Sequence, residues 1–247
     1  FNTMPYGAAT DDADADKAQA VRQAAASLIE RQAIATNEYK DTYTPHNSYI
    51  PEGLDGATQD FKEKYGDGKG GPDLDKAKQI LADAGVETPI NLALQYSPEH
   101  YGPSSGDEYA AVKNQLEEGG LFSVDLQSTE WVQYSKDRVA DVYPAYQLGW
   151  FPDYSDPDNY LTPFFTENNF LANHYSNPDV TKLIAQQVAE PDHETRLGLL
   201  EQIQDKVSDD ISTLPLLQGK QIAVVGTDVD GVTLDASFKL RMAPITK

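Results

Sequence analysis

Residues 90–150, INLALQYSPEHYGPSSGDEYAAVKNQLEEGGLFSVDLQSTEWVQYSKDRVADVYPAYQLGW, change rhythm four times. INLALQY alternates Ile90, Leu92, Leu94 and Tyr96, the period of a strand. Residues 107–118 return to helical spacing, with Tyr109, Val112 and Leu116 on one face and Gly119-Gly120 behind them. LFSVDLQS reads as a second strand, with Val124 and Leu126 on one side. TEWVQYSKDRV reads as a helix capped by Thr129 or Ser128, and DVYPAYQLGW as a third strand. A βαβαβ run with short links is the grammar of a parallel sheet covered by helices, so the fold class is α/β. In such sheets ligands sit beyond the carboxyl ends of the strands. The segment that follows, GWFPDYSDPDNYL (149–161), starts where the third strand is expected to end.

Working outward, DDADADK precedes apolar positions Ala18, Val21, Ala25, Leu28 and Ile29, which predict one helix over about 16–35. Residues 41–72 are turn-rich. Asp73 after Pro72 opens a helix with Leu74, Ala77, Leu81 and Ala84 inward, and Gly85 closes it as a left-handed cap. Two helices are expected at 178–190 and 193–209. LPLLQGKQIAVVG (214–226) reads as a final strong strand, and 226–247 as loop and weak strand. No unit of 20 to 50 residues repeats, which argues against a solenoid.

Composition narrows function. The chain has 247 residues, 40 acids against 19 bases, and a formal charge of −21. Phosphate binding needs a basic surface, so nucleic acid is excluded as the expected partner. With no cysteine, disulfides, thiolate metal sites and cysteine nucleophiles all fall away. No stretch approaches the roughly 18 apolar residues of a membrane helix. The start Phe-Asn-Thr is read as an internal point of a longer precursor.

Metal and catalytic motifs fare poorly. Asp12, Asp14 and Asp16 imitate the start of a calcium loop, but Lys17 stands where Gly is needed and Gln23 where a bidentate Glu is needed. A capped helix entry is the better account. Asp153, Asp156 and Asp158 match no standard ion loop. His46, His100, His174 and His193 form no HxH or HExxH pair, and GxSxG, P-loop and GxGxxG are all missing. Forty acids always allow some pair to face each other, so a glycosidase-type pair is not diagnostic. No metal or cofactor is therefore expected.

Asp153 stands apart by position. At a sheet's ligand-binding edge, walled by Trp150, Phe151 and Tyr154, a carboxylate in a lowered dielectric favours a cationic partner. The competing account is a decorated surface turn, since Asp, Ser, Pro and Asn are all turn formers. The residues alone leave these two accounts open.

Several ordered pieces resemble one family, the family 5 extracellular solute-binding proteins, whose oligopeptide- and dipeptide-binding members serve ABC importers. FN followed by AVRQAAASLIERQAI resembles its strand and "VRqA…aiDR" helix, with Glu30 in place of the usual aspartate. YTPHNSYIPEG resembles its proline-bearing loop, and DLDKAKQILADAG its "D..KAK.LL.eAG" helix. VKNQLEEGGLFSVDLQSTEWVQY and YQLGWFPDYSDPDNYL resemble "iq.qL..iGi.v.l…w..y" and "GW..DY.dP…l". The resemblance implies a type II clamshell, periplasmic-binding-protein-like fold. This chain would be its second lobe (1–214), followed by a return crossing and terminal segment (215–247) that pack on a missing first lobe. It implies a non-enzymatic binder, with Asp153 pairing a peptide's α-amino group, Trp150 a pocket wall, Tyr154 beside them, and Gly149 and Phe151 the backbone partners of an added strand. Pro152 has no N–H, so any contact through that nitrogen is lost. The implied partners are a peptide ligand, the permease subunits and the missing lobe. The implied location is extracytoplasmic, with a lipid anchor in the missing part. Oligosaccharide, nickel or haem are the alternative solutes in the same fold.

Overall fold

In the computed structural model, residues 2–234 and 240–247 are described. Phe1 of the FN piece and positions 235–239 of the expected weak strand lie outside them.

The parallel sheet forms as the rhythm of 90–150 predicts. Strands β2 (Ile90–Tyr96), β3 (Phe122–Ser128) and β4 (Ala145–Tyr146) are ordered β3-β2-β4, with β2 parallel to both neighbours. Ile90 pairs with Phe122, Leu92 with Val124 and Leu94 with Leu126, so the alternating apolar residues align on one face. That face packs on helices α1 (Ala15–Leu28), α4 (Leu74–Asp83) and α5 (Ser105–Glu117) through Val21, Leu28, Leu81, Tyr109, Val112 and Leu116, all buried. Asp14 caps α1 by accepting from the Asp16 and Lys17 amides (both 3.1 Å), the role expected of the DADAD run. Asp73 caps α4 through the Lys76 amide, and Gly85 closes it at φ 64°.

A second apolar cluster joins residues of 49–65 to the chain's later helices. Helices α3 (Asp60–Lys64), α7 (Thr162–Phe165), α8 (Pro178–Ala189) and α9 (His193–Asp210) meet around Tyr49, Ile50, Phe61, Leu161, Phe165, Ile184, Leu200, Ile203 and Val207. This cluster carries the segment that follows β4.

Four expectations need correction. The helix over 16–35 is two helices, α1 and α2 (Arg31–Asn37), because distant groups capture the backbone at the break. The Ser27 carbonyl accepts from the Asp73 amide (2.8 Å). The Gln115 carboxamide bonds both the N–H and the C=O of Glu30 (3.0 and 3.3 Å). Helix α6 (Trp131–Val139) is capped by Glu130, not Thr129 or Ser128. Thr129 is occupied elsewhere: its N–H donates to the Tyr96 carbonyl and its hydroxyl accepts from Gln95, tying β3 to β2. The third strand is only two residues long, with one further ladder bond from the Gln147 amide to the Gln95 carbonyl (2.9 Å). The final strand reduces to β5 (Leu217–Gly219), antiparallel to β1 (Tyr43–Pro45). Ile222, Val224 and Val225 are 63, 95 and 48% exposed. A β-branched run has strand propensity, but it needs a partner strand, and none stands beside it among the described residues.

Next to that ribbon lies His46, whose N–H donates to the Leu216 carbonyl. The residue as a whole is partly accessible, yet its Nδ1 is shut off from solvent and without a hydrogen-bond partner. Burial, then the Arg31 guanidinium, push its pKa down to about 4. The folded state thus binds its proton less readily than the unfolded chain does. His46 adds full stability above its ordinary pKa of about 6.5, and loses it as pH falls towards 4. Denaturant titrations of wild type and His46→Leu between pH 7 and 4.5 should show a shallower acid decline in the variant.

Candidate functional site

The chain leaves the carboxyl end of β4 in a held position. The Tyr134 hydroxyl donates to the Gln147 and Gln95 carbonyls (2.7 and 3.2 Å). The Gln147 side chain bonds the Ser97 amide and the Ser105 hydroxyl (both 3.2 Å). Gly149 then passes under Tyr101 so closely that a Cβ there would lie 2.7 Å from the ring, so any larger residue would displace that ring.

Trp150 is half-buried. Its indole meets Phe164 edge-on at 5.0 Å and Phe170 at 5.5 Å, and its Nε1 donates to Asn159 Oδ1 (3.1 Å). The same oxygen accepts the Asp153 amide at 2.9 Å. The Tyr154 hydroxyl donates to Asp158 Oδ2 (3.2 Å). Phe151 and Tyr154 are 59 and 48% exposed, Gly149 is exposed and Pro152 is buried. Asp153 is exposed, and its carboxylate takes no hydrogen bond or ion pair from the described residues. It lies seven residues past the end of β4, not three past a strand ending at Trp150. This chain by itself does not enclose Asp153, so the low-dielectric niche expected there is not built from Trp150, Phe151 and Tyr154 alone.

Asn159, on a short 3-10 turn (Pro157–Tyr160) and 2% exposed, was passed over as one more turn former. So was the network beneath it. Asp156 caps the 3-10 turn through the Asp158 amide (2.8 Å) and forms a bidentate pair with Arg196 of α9 (3.0 and 2.6 Å). That guanidinium holds the Asp156 carboxyl below its ordinary range. Arg196 also bonds fully buried Gln187 of α8 (3.1 Å), whose amide group reaches Asp158. Of the three aspartates of DYSDPDN, Asp156 is thus paired with a guanidinium. Among the described residues no cluster of three His, Cys, Asp or Glu forms a metal site.

A cavity of about 210 Å³ lies behind this turn, lined among others by Asp55, Asp156, His193 and Arg196. Within it Asp156 is paired with Arg196, Asp55 lies 3.9 Å from the His193 ring, and Asp153 is not in its wall. The exposed Asp153 carboxylate lies outside this cavity, so chemistry and concavity do not coincide among the described residues.

Comparison with solved structures places the fold. A dipeptide-binding protein from Pseudoalteromonas sp. SM9913, in complex with Met-Leu, superposes with a TM-score of 0.79 at 20% identity, over 93% of this chain and 45% of that one. HbpA2 from Haemophilus parasuis superposes with a TM-score of 0.79 at 20% identity, over 92% of this chain and 45% of that one. The architecture is that of the type II periplasmic binding proteins. The profile of the bacterial extracellular solute-binding proteins, family 5, matches residues 2–172, and the chain belongs to that family. The dipeptide-binding protein DppE of Bacillus subtilis is 27% identical over 221 residues, 86% of this chain and 39% of its own. The periplasmic oligopeptide-binding protein OppA of Salmonella typhimurium is 25% identical over 218 residues, again 86% and 39%. The chain thus spans about 39% of the length of these curated relatives.

Proposed function

We propose that this chain is the second lobe of a non-enzymatic solute-binding component of an ABC importer, and that it anchors peptides by their free amino terminus. The observation that carries the reading is the exposed Asp153 carboxylate, without a protein partner among the described residues, on a segment that is otherwise tightly bonded. A carboxylate left free beside a braced tryptophan suits an ammonium group. The backbone of Gly149 and Phe151 would pair with the peptide as an added strand, with Trp150 and Tyr154 flanking it. Main-chain bonds and one end-group pair do not read side chains, so such a binder tolerates sequence. Pro152 contributes no donor.

In this reading a first lobe, outside this chain, closes over the ligand by a hinge motion and supplies the missing enclosure of Asp153. Residues 215–247 would form the return crossing and pack on that lobe. The exposed run at 222–225 is consistent with this. The complete protein would work outside the cytoplasm, lipid-anchored through its other part, and deliver peptide to a permease. Nucleic acid remains an unsuitable partner at a charge of −21.

A second reading keeps the fold and changes the solute. NikA from Staphylococcus aureus, solved with Ni(L-His)2, superposes with a TM-score of 0.70 at 19% identity, over 89% of this chain and 46% of that one. Mass spectrometry of whatever co-purifies with the two-lobed protein separates the readings. Short peptides with free amino termini are the expected result. A nickel complex, haem or an oligosaccharide as the retained solute would overturn it.

A further inference from the structure

We propose that Asn159 is a positioning residue: it sets the place of the amine-binding carboxylate and so governs the preference for a free amino terminus without touching the ligand. The proposal rests on the peptide-binding reading above. An amide oxygen has two lone pairs, and that of Asn159 spends them on the two ends of the Trp150–Asp153 step, the Trp150 indole N–H (3.1 Å) and the Asp153 amide (2.9 Å). One side chain, 2% exposed, therefore grips both ends of the step from Trp150 to Asp153. Between the gripped ends, Pro152 locks its own φ and leaves little slack.

Asn159 is itself immobilised from below. Its 3-10 turn is capped by Asp156, Asp156 is clamped by Arg196 of α9, and Asp158 is held by Gln187 of α8. Position is thereby transmitted from two long helices to a carboxylate on an otherwise irregular segment. An exposed carboxylate on a loose loop must be ordered when it captures an ammonium, and that ordering subtracts from affinity. A carboxylate whose own amide is already fixed avoids most of the cost. This benefit goes to ligands that carry the ammonium, so loss of Asn159 should weaken them more than amino-blocked ligands, which feel only the looser Trp150 wall.

The test measures, in the two-lobed protein, calorimetric affinities for Ala-Ala-Ala and N-acetyl-Ala-Ala-Ala. Asn159→Leu is expected to lower the free-amine affinity about tenfold, the scale of one hydrogen bond to a charged group. Affinity for the acetylated peptide should hold within about threefold, close to the scatter of independent sites. Asn159→Asp, which keeps the acceptor, should return the ratio towards wild type. A purely structural role would lower both affinities together, and that result overturns the proposal, as does an unchanged ratio in Asn159→Leu or no recovery in Asn159→Asp. If Asn159→Leu does not fold, amide exchange in the wild type decides: the Asp153 amide and Trp150 indole N–H must be protected, and unprotected exchange at Asp153 overturns the role. No preference for the free amine in the wild type would instead overturn the amine-anchoring reading itself, and with it any need to place Asp153.

Discussion

Asp153→Ala in the two-lobed protein is expected to weaken binding of a free-amine tripeptide about 10- to 150-fold, the equivalent of ~1.5–3 kcal/mol for a hydrogen bond to a charged group. The reasoning begins with what the carboxylate does in this chain. Its neighbours Asp156 and Asp158 are engaged, one by Arg196 and the other by Gln187 and Tyr154. Asp153 alone of the three faces outward without a partner among the described residues. Removing it leaves no buried cation inside the lobe uncompensated, so the fold should tolerate the change, and melting should move little. Acetylating the peptide amine should cost wild type a similar factor and cost Asp153→Ala almost nothing. A neutral sugar, if it bound at all, would not respond to the substitution. Equal peptide affinity in wild type and Asp153→Ala would end the amine-anchor reading. The lobe on its own should bind the same tripeptide far more weakly than the two-lobed protein, because half of the closed cavity would be missing.

The largest stability effect is expected at Phe165. Phe165→Ala should cost about 3–5 kcal/mol, the range for truncating a buried aromatic, and lower Tm by roughly 2–4 °C per kcal/mol for a chain of this size. Phe165 is 1% exposed and meets Tyr49 edge-on at 4.7 Å and Tyr175 at 6.0 Å. These rings belong to three separate stretches, so the cavity cannot close by moving one loop. The neighbouring Phe164 is the ring on which the Trp150 indole rests. The same variant should therefore loosen the Trp150 environment, read as a shift in tryptophan fluorescence against the unaffected Trp131. A loss below 1 kcal/mol in chemical denaturation would show that the second cluster repacks freely.

The parallel sheet was legible in sequence because its signal is local: β2 and β3 alternate, α5 has a clear apolar face, and glycines close the turns. The broken first helix was not legible. Its apolar spacing runs straight through Ile29 and Glu30, and the interruption is caused by Asp73 and Gln115, far along the chain. Residues 222–225 failed for the converse reason, since strand propensity is present and no partner strand stands beside them among the described residues. At the candidate site, the Trp150–Asp153 spacing pointed to a segment that follows the short strand β4. The aspartates that looked alike in DYSDPDN turned out to have different employments, and nothing in their order separates the capping Asp156 from the free Asp153. Asn159 was invisible because its importance comes from two donors converging on one oxygen, a fact of geometry and not of residue type.

The antiparallel pairing of Tyr43–Pro45 with Leu217–Gly219 has a topological consequence. The chain departs from this two-strand ribbon at Pro45 and rejoins it at Leu217, directly across the ladder. Everything between is a closed excursion that contains both the sheet and the turn bearing Asp153. The excursion is closed in path but not in packing, because its sheet shares one apolar cluster with Val21, Leu28 and Ile34, which precede the ribbon.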